Sequence, residues 1–136
     1  MTVIDAVSNR LLTAIDVGPA PQALVHNGLA NKLYCTNSQT ATVVVVDGAS
    51  NDILARVATG NGPSSLVFNP LLNRVFTGDY RASTVTVIDG AGDSAITRIR
   101  LGVMPSLVCV DPAADKIYCA DAQGDNVTII DGATRT

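Results

Sequence analysis

Charge is scarce in this chain. Only 15% of its 136 residues are charged, nine basic and twelve acidic, for a net charge of −3. The basic residues are scattered, so no concentrated positive field exists for duplex nucleic acid or an anionic membrane, and neither is expected as a partner. Long apolar runs are missing too: stretches such as Val43 to Val46 are of strand length, far short of the ~20 residues a membrane-spanning helix needs. Met1 is followed at once by patterned sequence, without a basic segment and an apolar core, so no signal peptide is expected and the compartment stays open. Three cysteines, an odd number without dense spacing, do not make a disulfide framework. No long stretch carries a helical period. What is left, 47% hydrophobic residues and a mean hydropathy of +0.30, is ample for one packed domain and argues against disorder.

What is present is a repeat. Thr2-Val-Ile-Asp5, Val44-Val-Val-Asp47, Thr86-Val-Ile-Asp89 and Thr128-Ile-Ile-Asp131 place four aspartates at intervals of 42 residues. The same interval separates Gly18, Gly60 and Gly102; Pro21, Pro63 and Pro105; Asn31, Asn73 and Asp115; Lys32, Arg74 and Lys116; and Tyr34, Phe76 and Tyr118. The register is 1–42, 43–84 and 85–126 within a single repeat domain, with 127–136 beginning a further copy. A fixed period of this size means units that cannot bury an apolar face alone and must stack on neighbours. Cys35 and Cys119 stand where the middle copy has Thr77, and Cys109 stands where the others have Val25 and Val67. Residues that interchange with Thr or Val are expected to fill buried space.

Each copy reads as four short strands. In the middle one these are Val43 to Val46, Ile53 to Ala58, Ser64 to Phe68 and Arg74 to Thr77, separated by Gly, Pro, Asn and Asp turns. Four strands in 42 residues form one antiparallel meander. Meanders of this length arranged radially make an all-β propeller of four-stranded blades, three blade-equivalents in this chain.

Tyr34-Cys35-Thr36-Asn37, followed by Val-x-Val-hydrophobic-Asp-Gly and later by Gly-x-x-Pro, resembles the Tyr-Val-Thr-Asn motif of the YVTN β-propeller repeats, and the resemblance covers the whole chain. Phe76-Thr77-Gly78-Asp79 and Tyr118-Cys119-Ala120-Asp121 are looser versions. The resemblance implies innermost strand A at Ser64 to Phe68, B at Arg74 to Thr77, C at Val43 to Val46 and D at Leu54 to Ala58. The chain then runs C-D, A-B-C-D, A-B-C-D, A-B-C. Because rings usually need ~4–8 blades, closure is expected through the chain itself as partner. A homodimer of six blades is the first expectation and a trimer of nine the second. Thr2 to Asp5 and Thr128 to Asp131 are expected to compete for one C-strand position, with the C-terminal copy favoured by its short hairpin.

Asp5, Asp47, Asp89 and Asp131 open strand turns, where an Asp side chain accepts bonds from backbone N–H groups two residues on, so a structural turn role is expected of them. Gly18, Gly60 and Gly102 are expected to supply positive φ between strands D and A. His26 is the only histidine; it has no second ligand for zinc and no Gly-x-Ser-x-Gly elbow beside it. No catalytic residue, metal or cofactor is expected. Binding is placed on the variable B–C loops: Asn37 and Gln39; Asp79, Tyr80 and Arg81; Asp121, Gln123 and Asp125. The expected function is a non-enzymatic binding or scaffold module that self-assembles into a closed ring and presents these loops to an unknown protein or small ligand. The family resemblance leaves two alternatives, a lactonase-like hydrolase and an excerpt of an extracytoplasmic surface-layer or adhesion protein.

Overall fold

Alternation of β-branched residues with Asn, Asp and Gly turns leaves the backbone few options besides short strands and tight hairpins. A computed structural model describes all 136 residues. Its strands are β1 (Thr2–Asp5), β2 (Arg10–Ala14), β3 (Pro21–Asn27), β4 (Lys32–Asn37), β5 (Thr42–Asp47), β6 (Ile53–Ala58), β7 (Pro63–Asn69), β8 (Arg74–Asp79), β9 (Thr84–Asp89), β10 (Ser94–Arg100), β11 (Pro105–Asp111), β12 (Lys116–Asp121) and β13 (Val127–Asp131). A 3₁₀ turn, Tyr80–Ala82, lies between β8 and β9. The strands make four antiparallel sheets in chain order, β1-β2, β3-β4-β5-β6, β7-β8-β9-β10 and β11-β12-β13. The protein is all-β, with propeller blades as its sheets.

The turns explain part of the repeat. Asn31, Asn73 and Asp115, at the ends of the A–B hairpins, all have φ near +50°, a left-handed conformation that Asn and Asp tolerate better than other side chains. Pro21, Pro63 and Pro105 are the first residues of β3, β7 and β11, a position where the missing donor costs no ladder bond.

Packing follows from side-chain alternation. On one face of the β3–β6 sheet, Tyr34, Val43, Val45 and Val57 meet Val75 and Ile88 of the next sheet. On its other face, Cys35, Val44 and Val46 pack with Ile15, Val17, Met1 and Val3. The outward face of β7–β10 repeats the scheme, with Phe76, Val85 and Val87 against Val108, Ile117, Cys119 and Ile130. Val43 to Val46 form an unbroken apolar run because both faces of β5 are covered, and all four are 0% exposed. Successive A strands β3, β7 and β11 approach each other along the inner edge.

The arc does not bring its ends together: β1 pairs with β2 and β13 with β12, in separate sheets. One expectation changes here. Cys109, expected to be buried, is exposed, because no sheet covers the outer side of β11-β12-β13.

Double-sided burial sets the cost of a charge at these positions. Val85→Asp is expected to destabilise by several kcal/mol, whereas Leu71→Asp, at an exposed turn, should change stability by no more than about 0.5 kcal/mol. Denaturant titration of the two variants checks this; equal midpoints would show that β9 is not sandwiched.

Candidate functional site

The two ends of the blades carry different chemistry. At one end lie the A–B and C–D turns. Asp5 Oδ1 accepts from the N–H groups of Val7 (2.9 Å) and Ser8 (2.7 Å), and Asp47 Oδ1 from those of Ala49 and Ser50 (both 2.8 Å). Asp89 Oδ2 accepts from Gly92 N–H at 2.8 Å, and Asp131 Oδ1 from Thr134 N–H at 2.7 Å. Backbone donors, Ser8, Ser50 and Thr134 foremost, hold the Asp5, Asp47 and Asp131 carboxyls below their ordinary range. Each of these carboxylates spends one oxygen on its own turn.

Polar locks between sheets also sit at this end. Asn27 Nδ2 donates to Asn73 Oδ1 of the next sheet at 2.8 Å, and Asn69 Nδ2 to Asp115 Oδ1 at 2.6 Å. Lys32 Nζ reaches Asp93 Oδ2 at 2.7 Å, and the Tyr34 hydroxyl donates to Asp93 Oδ1 at 2.9 Å. Arg74 Nη1 donates to the Gly132 carbonyl at 2.9 Å. Burial, reinforced by Asp93, pushes the Tyr34 phenol above its usual value. The role of Asn27 and Asn69 is missing from the sequence reading, although their own spacing of 42 residues matches the period of the repeat. His26 is exposed, with Nε2 3.2 Å from Asn31 Oδ1. No three His, Cys, Asp or Glu side chains converge anywhere in the chain. Cys35 and Cys119 are buried, and burial pushes the Cys119 thiol up to about 12.

The B–C and D–A loops form the opposite end, joined by backbone bonds such as Tyr80 N–H to Gly62 O (3.0 Å) and Ala82 N–H to Asn61 O (3.1 Å). Of the eight loop residues expected to bind, Asn37 and Asp79 are fully buried and close their own strands. They are therefore not available to a partner. Asp79 Oδ2 accepts from Gly60 N–H (3.1 Å), Thr84 Oγ1 (2.9 Å) and Thr86 Oγ1 (2.6 Å), and Oδ1 accepts from Thr77 Oγ1 (3.3 Å). Gly60 has no positive φ. It is needed for space, since a Cβ would fall 2.4 Å from Thr84 Oγ1 and 2.6 Å from Asp79 Oδ2. Gly18 and Gly102 do adopt positive φ.

The position of Asp79 varies with its surroundings. Asp121 is half-buried and accepts from Thr128 Oγ1 at 3.1 Å. Asn37 instead donates Nδ2 to the Val17 carbonyl, and its Oδ1 has no partner. Val44 occupies the place of Thr86 and Thr128 in that sheet, so the threonine donor is absent where the carboxylate is absent. Gln39 is exposed on the β4–β5 loop and Gln123 and Asp125 on the β12–β13 loop, two sheets away. Tyr80 and Arg81 do share a cavity, of about 190 Å³, with Gln22, Ser38, Gly62 and Ser64.

Burial, partly offset by its donors, raises the Asp79 carboxyl above 3.8. A carboxyl raised in the folded state contributes stability below its unfolded value and loses it as pH rises through the folded value. Asp5, Asp47 and Asp131 act oppositely, losing their contribution as pH falls through their lowered values. Asp79→Asn is expected to fold and to remove the loss on raising pH above 3.8. Asp79→Ala, which strands the Gly60, Thr84 and Thr86 donors, should destabilise by about 2–4 kcal/mol. Stability measured against pH separates these cases; an Asp79→Asn profile parallel to that of the parent would contradict the assignment.

No protein-family profile matches the chain, and no curated protein does. Solved structures resemble it closely in shape and only distantly in sequence. The dihydro-heme d1 dehydrogenase NirN in complex with DHE matches over 99% of this chain and 30% of its own, with a TM-score of 0.83 and 15% identity. Hydrazine synthase from Kuenenia stuttgartiensis matches over 86% and 34%, with a TM-score of 0.80 and 20% identity. The β-propeller domain of Cps50 (Swd1) from Myceliophteria thermophila matches over 85% and 37%, with a TM-score of 0.72 and 13% identity. The chain thus spans about a third of the length of each of these structures. At such identities the likeness shows the β-propeller fold alone.

Proposed function

We propose that the chain is a non-enzymatic binding or scaffold module, a propeller segment whose open end faces are covered by a second copy and whose B–C and D–A loops are presented to a partner. The observation that carries this reading is the pair of uncovered apolar faces. On one, Ile4 and Leu11 are 60% and 67% exposed; on the other, Val127 and Ile129 are 57% and 55% exposed. Val43 and Val45, the counterparts of Val127 and Ile129 inside the arc, are 0% exposed. Repeat sheets bury such faces on one another, and an arc joined head to tail closes by rotation. Lys116 and Tyr118 occupy the positions from which Lys32 and Tyr34 grip the next sheet, and they face the uncovered side.

Glycine distribution favours one way of joining. Gly48, Gly90 and Gly132 donate N–H to an A–B turn carbonyl at 2.8 Å in each case. A Cβ there would meet backbone at 2.7 to 3.0 Å. Ala6 occupies this position after β1. The C-strand place beside an A–B hairpin therefore suits β13, which leaves β2 of the neighbouring copy to add as strand D.

Light scattering at micromolar concentration should give a particle of twice 14.0 kDa, and Ile129→Asp should return a folded monomer. Deleting 127–136 should weaken the dimer more than deleting 1–5. A parent protein that stays at 14.0 kDa would overturn closure by a second copy.

A further inference from the structure

At the loop end, the seam between the β3–β6 and β7–β10 sheets opens into a groove of about 720 Å³, bounded by Asn61, Ser83, Thr84, Arg98 and Arg100 among its ten lining residues. Arg98 and Arg100 lie two residues apart on β10, so their side chains leave the same face of the strand. No Asp or Glu lines the groove. The single ion pair of the structure, Lys32–Asp93, belongs to the opposite end of the blades. Both guanidinium groups are free of hydrogen bonds, as are the Ser83 hydroxyl and the Asn61 carboxamide. Asp79 lies beneath the floor, with its oxygens taken by Gly60, Thr84, Thr86 and Thr77.

The preceding seam shows that this is not a plain consequence of the repeat. Arg56, the counterpart of Arg98, donates to the Val17 carbonyl at 2.9 Å and the Asp16 carbonyl at 3.4 Å, spanning its seam with its own side chain. The counterpart of Arg100 is Ala58 in that sheet and Asp16 in the first. Two unspent guanidinium groups therefore coincide only in the β10 seam. Charge on an edge strand such as β10 discourages pairing with other chains, but that role does not require both charges to line one groove.

We propose that this groove binds a small oxyanion, a phosphate ester or a dicarboxylate, through Arg98 and Arg100, with the Ser83 hydroxyl and Asn61 amide as further donors. Paired guanidinium groups suit such ligands because each offers a planar fork of N–H donors. The inference rests on the loop end being the binding end. Inorganic phosphate and succinate, titrated separately in dilute buffer and followed by amide chemical shifts, serve as probes. Saturable shifts at Ser83, Arg98 and Arg100 are expected, with a Kd on the order of 1 mM that weakens with added salt. The tighter probe distinguishes phosphate from dicarboxylate chemistry. R98Q/R100Q should lose at least tenfold in affinity. Arg100→Ala alone, which copies the residue of the preceding sheet and so keeps the fold, should lose several-fold. Absence of saturable shifts, or equal binding by parent and Arg100→Ala, would overturn the groove. Oligomer mass is unaffected by either result and tests the proposed function separately.

Discussion

Everything in this structure depends on sheets lying face to face, each covering an apolar face that its neighbour cannot cover alone. β5 and β9 carry the point most clearly, since Val43 and Val45 of β5 face the following sheet and Val44 and Val46 the preceding one, while Val85 and Val87 of β9 face the following sheet and Ile88 the preceding one. Hydrogen bonds within a sheet fix register, but they do not choose the order in which sheets stack. Apolar contact supplies the attraction between sheets, and the polar bridges from Asn27, Lys32, Tyr34, Asn69 and Arg74 set the alignment of one sheet on the next. These five, unlike Arg56, reach from the end of a strand A or from a strand B to the following sheet. The same direction gives the two ends of the arc unlike surfaces.

The ends of the blades divide labour. Turns on one end are closed by carboxylates that bind their own backbone and by locks between sheets, so most of their polar groups are consumed. The loop end is less uniform. Asp79 is satisfied by three threonines and a backbone amide, Asp121 accepts from one threonine and leaves Oδ1 without a partner, and Asn37 leaves its carbonyl oxygen without one. Variation among the repeats accumulates there, and so do cavities whose donors remain unspent.

Much of the fold was legible in the sequence. The 42-residue interval showed that each blade restates the same strands and turns in the same order, and the resemblance to a propeller repeat family supplied the run C-D, A-B-C-D, A-B-C-D, A-B-C. Strand ends ran one or two residues beyond the hydrophobic runs, as with Thr42–Asp47 and Arg74–Asp79, since polar residues at hairpin mouths still pair. Function was less legible. Asn37 and Asp79 look like loop residues because they follow apolar strands and are polar, yet burial of a polar group is hidden until its donors are placed. The clue lay in the pairing of Asp79 with Thr86, Asp121 with Thr128 and Asn37 with Val44, seven residues apart in each case. Arg98 and Arg100 gave no signal of their own, because nothing in a strand pattern tells that the arginine one repeat earlier spends its donors on a carbonyl.

The central claim is that stability comes from a sheet having neighbours on both faces. Amide hydrogen exchange resolved by strand tests it most directly, because protection reports the free energy of opening each segment. The account predicts the slowest exchange in β4, β5, β8 and β9, which lie within the doubly covered sheets, and the fastest in β1. Uniform protection along the chain, or β1 exchanging as slowly as β5, would contradict it.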